Sequence, residues 1–162
     1  MSVCVIGAGY VGLATAAVLA DLGHRVVCAD TDANRIDSLN GGQCPIHEPD
    51  LPRMLRRNVK AQRLSFTTDT PAALRSSEIV FIAVGTPLDA NGSADLSHLR
   101  AAALDIARAL NGHKLIVNKS TIPATGRPGP AGQIPPHVGR GCDRNELGWL
   151  GWLPLVWHGR LS

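Results

Sequence analysis

The four cysteines of this 162-residue chain form no Cys-x-x-Cys pair, so neither a zinc site nor a disulfide framework is expected. Cys4 and Cys28 fall instead in apolar runs that read as neighbouring buried strands, where cysteine acts as a small hydrophobe. An excess of charge is missing as well. Residues 1–126 carry 12 Lys/Arg against 11 Asp/Glu and residues 127–162 carry 4 against 2, so the basic balance belongs mostly to the tail and gives no case for a nucleic-acid partner. No basic leader precedes the uncharged stretch 3–20, and three glycines interrupt it, which argues against both a signal peptide and a membrane span. A cytoplasmic chain with no membrane partner is expected.

What is present begins with Val3-Cys4-Val5-Ile6-Gly7-Ala8-Gly9-Tyr10-Val11-Gly12 and the apolar run 13–20 behind it. This reads as a buried strand, a tight turn and a helix starting at the turn. Gly7 permits the turn, Gly9 lets the backbone approach a pyrophosphate and Gly12 seats the helix close to the strand, while the helix N-terminus offers N–H groups to phosphates. A glycine fingerprint alone is weak, so its context decides. The helix runs to Gly23, and a second strand over 24–29 finishes at Asp30, 18 positions after Gly12, where a ribose-binding acid belongs. Such a carboxylate repels a 2′-phosphate and favours NAD over NADP; the bland alternative is a surface turn acid ahead of Asp32, the expected N-cap of the next helix. Arg35, one turn on, either flanks the adenine or is a solvated helix residue.

The remaining pattern continues the alternation of strand and helix. A short helix over 31–39 turns Ile36 and Leu39 inward, and a proline-bracketed loop, Pro45-Ile46-His47-Glu48-Pro49, leads to a helix with Asp50 as candidate N-cap. Arg53, Arg56, Arg57, Lys60 and Arg63 make that helix and its exit basic, but no aromatic residue interleaves them, so a solvated face is the better reading. His47 has no partner at a recognisable catalytic spacing. Strands are expected over 64–67, 78–84 and 114–118, with helices capped by Asp69 and Asp95 between them. The run 78–84 ends in Gly85-Thr86-Pro87, and 114–118 in Lys119-Ser120-Thr121, both on the side where open parallel sheets bind ligands. The fold expected is α/β, a Rossmann-like doubly wound parallel sheet of five strands in the order 3-2-1-4-5.

These motifs together resemble the UDP-glucose 6-dehydrogenase group of the UDP-glucose/GDP-mannose dehydrogenase family over residues 2–123. The resemblance rests on the glycine turn, Pro45 to Pro49, Arg63-Leu64-Ser65-Phe66-Thr67-Thr68-Asp69, Phe81-Ile82-Ala83-Val84-Gly85-Thr86-Pro87, Gly92-Ser93-Ala94-Asp95-Leu96 and Lys119-Ser120-Thr121-Ile122-Pro123. It implies oxidation of UDP-glucose to UDP-glucuronate with two NAD, through a thiohemiacetal on a catalytic cysteine. It further implies ribose contacts from Asp30 and Arg35, cofactor contacts from Tyr10, Val11, Thr86 and Thr121, and a supporting place for Thr121 beside the reacting centre. A threonine hydroxyl can position a water or a substrate oxygen, but it does not replace the nucleophile.

The pattern departs from the family after Pro123. The segments expected to follow, including those bearing the catalytic Lys, Asn, Cys and Asp, are not recognisable, and residues 127–162 hold 7 Gly, 5 Pro and all 3 Trp without helical or strand periodicity. The organisation expected is therefore an NAD-binding Rossmann-like domain over 1–126 and an irregular tail, non-native or disordered, over 127–162. Cys142 follows a glycine but lacks the family's Phe-Pro-Lys-Asp, and it is not expected to be the nucleophile. The family dimerises through a central helix not found here, so a monomer or an aggregate is expected. NAD binding without turnover is the leading reading; a stand-alone NAD-binding regulatory module and a fragment acting on GDP-mannose or a UDP-N-acetyl sugar are its rivals.

Overall fold

A computed structural model of the chain describes residues 1–88, 94–121 and 156–159. Five parallel strands form the sheet: β1 Ser2–Ile6, β2 Arg25–Ala29, β3 Leu64–Thr67, β4 Ile79–Ile82 and β5 Lys114–Asn118. Their order is β3-β2-β1-β4-β5, as the alternating pattern predicts. The helices are α1 Tyr10–Asp21, α2 Ala33–Asn40, α3 Leu51–Lys60, α4 Thr70–Arg75 and α5 Ser97–Ala109. Registers Ile6↔Ala29, Ala29↔Thr67, Ile6↔Ile82 and Ile82↔Asn118 bring all five carboxyl ends to one edge. The loops bearing the candidate residues all leave from that edge.

Alternate residues of each strand feed two cores, one on each face of the sheet. Val3 and Val5 of β1 and Val26 and Cys28 of β2 pack with Leu13, Ala16, Ala17 and Ala20 of α1, together with Ile36, Leu39, Leu51 and Leu55 from α2 and α3. Cys4 and Ile6 of β1 and Val80 and Ile82 of β4 pack with Ala73 and Leu74 of α4 and Ala102, Ile106 and Ala109 of α5. The inner face of α1 is mostly alanine, which brings its axis near the sheet. Leu13 is its one large completely buried residue, contributing about 1.5–3 kcal/mol by transfer from water, and Leu19 packs partly against the same core.

Helix starts follow the sequence with two adjustments. Asp32 and Asp69 cap α2 and α4, accepting from the N–H groups of Arg35 and Ala72. Asp50 stands at the N-cap of α3 without a side-chain cap bond, because its Oδ1 instead accepts from Arg53 Nη2 at 3.0 Å. Asp95 lies one residue ahead of the α5 cap position, yet its Oδ1 still accepts from Ser97 N–H at 2.8 Å.

The tail brings a larger correction. Beyond residue 126 no regular structure is expected, but Val156–Gly159 form a sixth strand, β6, antiparallel to β5 with Ile116 opposite Trp157. The reason is the edge that β5 leaves: an unpaired row of N–H and C=O groups is a template for any β-prone segment. Residues 122–155 and 160–162, and with them Cys142, lie outside the described residues, as does the turn 89–93.

Candidate dinucleotide site

The three glycines after β1 are required for three different reasons. Gly7 has φ +101 and its N–H donates to Ala29 O at 2.7 Å, which turns the chain while keeping it bonded to β2. A Cβ on Gly12 would lie 1.8 Å from Gly7 O, so α1 could not start there with any other residue. Gly9 is the opposite case. Its backbone is extended, at φ −78 and ψ −169, and a Cβ would meet nothing within 4 Å. The space in front of Gly9 is open, and it faces the start of a helix whose N-cap makes no side-chain bond. The N–H groups of the first turn, those of Tyr10, Val11 and Gly12, have no acceptor within the helix, and the helix dipole places partial positive charge among them.

Asp30 follows β2 directly and closes on the same turn. Its N–H continues the ladder to Thr67 O at 3.1 Å, and its carboxylate reaches across to the glycine turn. Oδ2 accepts from Ala8 N–H at 2.6 Å and from Arg35 Nη1 at 3.0 Å, while Oδ1 accepts from Asp32 N–H at 2.9 Å. A carboxylate offers about four lone-pair sites, so three are used and one remains for a ligand. Arg35 is the more exposed partner, at 38% against 10% for Asp30. The structure joins Asp30 and Arg35 in one ion pair.

The other candidates leave from β4 and β5. Gly85 is exposed with no neighbour at its Cβ position, and Thr86 Oγ1 donates to Thr121 O at 3.0 Å. Sequence reasoning missed two residues here: Ser120 Oγ donates to Val84 O at 2.8 Å and so links the loops, and Asn118 Oδ1 accepts from Ser120 N–H at 3.0 Å, shaping the exit of β5. A polar residue closing an apolar strand, as Asn118 does, was the available signal. Glu48 was also missed. Its Oε1 accepts from Tyr10 OH at 2.7 Å, tying the proline-bracketed loop to the first turn of α1 and holding the phenol proton above its usual range. His47 beside it is exposed.

None of the thiols among the described residues suits nucleophilic work. Burial pushes the Cys4 thiol up to about 12, and the Cys28 thiol is raised by burial as well; Cys28 Sγ donates to Gly7 O from beneath the turn. Cys44 lines a cavity of about 190 Å³ between α2 and α3, which shares no residue with the glycine turn, Asp30 or the β4 and β5 loops. The basic face of α3 is partly structural rather than free: Arg57 pairs with Asp21, and Arg63 Nε donates to Asn58 Oδ1 and Ala20 O. Among the described residues no three metal-ligating side chains cluster, and no helix is long and apolar enough to cross a membrane.

Residues 1–129 match the sequence model of the UDP-glucose/GDP-mannose dehydrogenase family, NAD binding domain. The chain is 51% identical over 121 residues to the UDP-glucose 6-dehydrogenase TuaD of Bacillus subtilis, covering 75% of this chain and 26% of that protein. It is 49% identical over 123 residues to the UDP-glucose 6-dehydrogenase of Pseudomonas aeruginosa, covering 76% and 27%. Among solved structures, a GDP-mannose dehydrogenase from Pseudomonas aeruginosa in a ternary complex aligns with TM-score 0.72 at 36% identity, over 75% of this chain and 29% of that one. A UDP-glucose dehydrogenase from Pyrobaculum islandicum aligns with TM-score 0.68 at 39% identity, again over 75% and 29%. The chain spans roughly a quarter of the length of the curated relatives it matches. With its glycine turn, its acid after β2 and its parallel sheet, the chain belongs to the UDP-glucose/GDP-mannose dehydrogenase family and carries that family's NAD-binding domain.

Proposed function

We propose that this chain holds NAD for the oxidation of UDP-glucose at C6, and that by itself it binds the cofactor without completing turnover. The observation that carries the reading is Asp30, whose carboxylate stands against the glycine turn at Ala8 N–H with one lone-pair site unused. The residues fit a dinucleotide: the open space before Gly9 is a cradle that a side chain would fill, and uncapped N–H groups line it. Tyr10, Val11 and Gly12 present those groups to the pyrophosphate, and Gly7 shapes the turn behind them. Asp30 accepts from an adenosine ribose hydroxyl at the lone-pair site that Ala8, Arg35 and Asp32 leave unused. Gly85, Thr86 and Thr121 border the nicotinamide side, where the Thr121 hydroxyl orients a water or the substrate oxygen. When bound, NAD accepts a hydride from the carbon being oxidised.

UDP-glucose is favoured over GDP-mannose by sequence, since the curated relatives of about 50% identity are UDP-glucose 6-dehydrogenases; the fold is equally near to both kinds. Incomplete turnover is supported by the thiols among the described residues. Taking an aldehyde to a carboxylate through a covalent thiohemiacetal needs a reachable thiolate at the site; Cys4 and Cys28 are buried in their protonated form, and Cys44 lines the cavity between α2 and α3, which shares no residue with the candidate site. Titrating the chain with NADH and following cofactor fluorescence tests the reading. Binding that weakens about tenfold or more, ~1.4 kcal/mol, in Asp30→Ala is expected. Equal affinity in the two proteins would refute the cofactor site, and UDP-glucuronate formed by the purified chain would refute the absence of turnover.

A further inference from the structure

Asp32 touches both members of the Asp30–Arg35 pair. Its N–H donates to Asp30 Oδ1 at 2.9 Å, its Oδ1 accepts from Arg35 N–H at 3.1 Å, and its Oδ2 lies 3.4 Å from Arg35 Nη2. Arg35 is thereby held at both ends of its guanidinium, Nη1 on Asp30 and Nη2 on Asp32. The trio carries one cation and two carboxylates, and its net charge is negative beside the place where a ribose would lie.

We propose that Asp32 is a positioning residue that sets the choice between NAD and its 2′-phosphorylated form, by clamping Arg35 onto Asp30 and neutralising the one guanidinium of the trio. This rests on the reading that Asp30 receives the adenosine ribose. A 2′-phosphate brings about −1.5 to −2 charges and asks for a bidentate guanidinium. With Asp32 in place the Arg35 fork is already spent on two carboxylates, and the second carboxylate adds repulsion. Without the Asp32 charge, Arg35 keeps one partner and its Nη2 edge is released to a phosphate. Asp30 alone would then oppose NADP, so the discrimination is divided between two acids rather than resting on one.

Asp32 also caps α2, and the test keeps the cap while removing the charge. Asp32→Ser and Asp32→Asn both retain a side-chain acceptor suited to the N-cap. The intact chain and the two variants are titrated with NADH and with NADPH at low and at high salt. Expected is an NADH affinity that changes little, with NADPH affinity raised about fivefold at low salt and the gain shrinking as salt rises. An NADPH-to-NADH ratio unchanged in both variants would overturn the proposal. So would a parallel loss of both cofactors in both variants while melting temperature is kept, which would make Asp32 a plain support of the site. Binding of neither cofactor by the unaltered chain would remove the underlying ribose reading, and this proposal with it.

Discussion

The two sides of the candidate site are held by different means. On the β1–β2 side, Gly7 is bonded to Ala29, Ala8 to Asp30, Asp30 to Arg35 and Asp32, and Gly12 is pressed against Gly7 O. On the β4–β5 side, Gly85 is exposed and the two loops meet through Thr86 Oγ1 on Thr121 O and Ser120 Oγ on Val84 O. One side is fixed by backbone packing and a shared carboxylate; the other, beyond the backbone bonds of Ala83 N–H to Ile6 O and Lys119 N–H to Ile82 O, is held by single hydroxyl contacts. A βαβ unit can therefore preform the proposed pyrophosphate and ribose sites by itself, whereas the proposed nicotinamide side keeps exposed loops.

The largest expected effect tests whether packing, rather than ligand contact, fixes the first side. In Gly12→Ala the new Cβ would have to occupy a position 1.8 Å from a backbone oxygen, and only a shift of α1 relieves that. A loss of about 3 kcal/mol or more in chemical denaturation is expected. Gly9→Ala is the partner experiment, since its Cβ meets nothing within 4 Å and its φ of −78 suits alanine. Stability within about 0.5 kcal/mol of the unaltered chain is expected there. NADH affinity should nevertheless fall about tenfold, ~1.4 kcal/mol, because the methyl stands where the backbone must approach a phosphate. If Gly12→Ala melts normally, or Gly9→Ala binds normally, the three glycines do not divide their roles in this way.

This division shows what a sequence can disclose. Strand order and the ligand side at the carboxyl ends were legible because alternation and glycine placement are local signals that tertiary structure reinforces. The pairing of Asp30 with Arg35 was legible only as proximity; its partner Ala8 N–H was not, since nothing local announces that a carboxylate will cross to a neighbouring turn. Ser120 was missed because its bond from one loop to another, to Val84 O, depends on strand register. β6 was missed for a related reason. Its four residues, Val156–Gly159, follow a glycine- and proline-rich stretch, and what orders them is the free edge of β5 rather than any pattern of their own.

The second side can be probed by removing its hydroxyl contact. Thr86→Val keeps shape and deletes the bond to Thr121 O. Because that carbonyl belongs to an exposed residue and can turn to water, a loss of about 0.5–1 kcal/mol in stability is expected. NADH binding should weaken less than in Asp30→Ala. A destabilisation as large as that of Gly12→Ala would mean that the β4–β5 loops are fixed as firmly as the glycine turn, and the comparison would fail.

The smallest effect concerns the hydrogen bond by which Glu48 of the proline-bracketed loop reaches Tyr10 at the start of α1. Tyr10 is the chain's single tyrosine, so ultraviolet titration of the phenol reads this residue alone. Its hydroxyl donates to Glu48, and both that bond and the negative charge of Glu48 resist loss of the phenol proton, so the midpoint should lie above the ordinary 10.0. Since the folded-state value is the higher one, the stability contributed by the bond is complete below the unfolded midpoint and disappears as pH rises through the folded one. The window is therefore alkaline, and nothing should change near neutrality. Glu48→Gln removes the charge while leaving an acceptor, and it should bring the midpoint back toward 10.0 without altering the melt at neutral pH. A midpoint unmoved by that substitution would mean that the loop does not hold Tyr10. The first turn of α1 would then be fixed by Gly12 alone, and the tightness of the first side would end at the glycines.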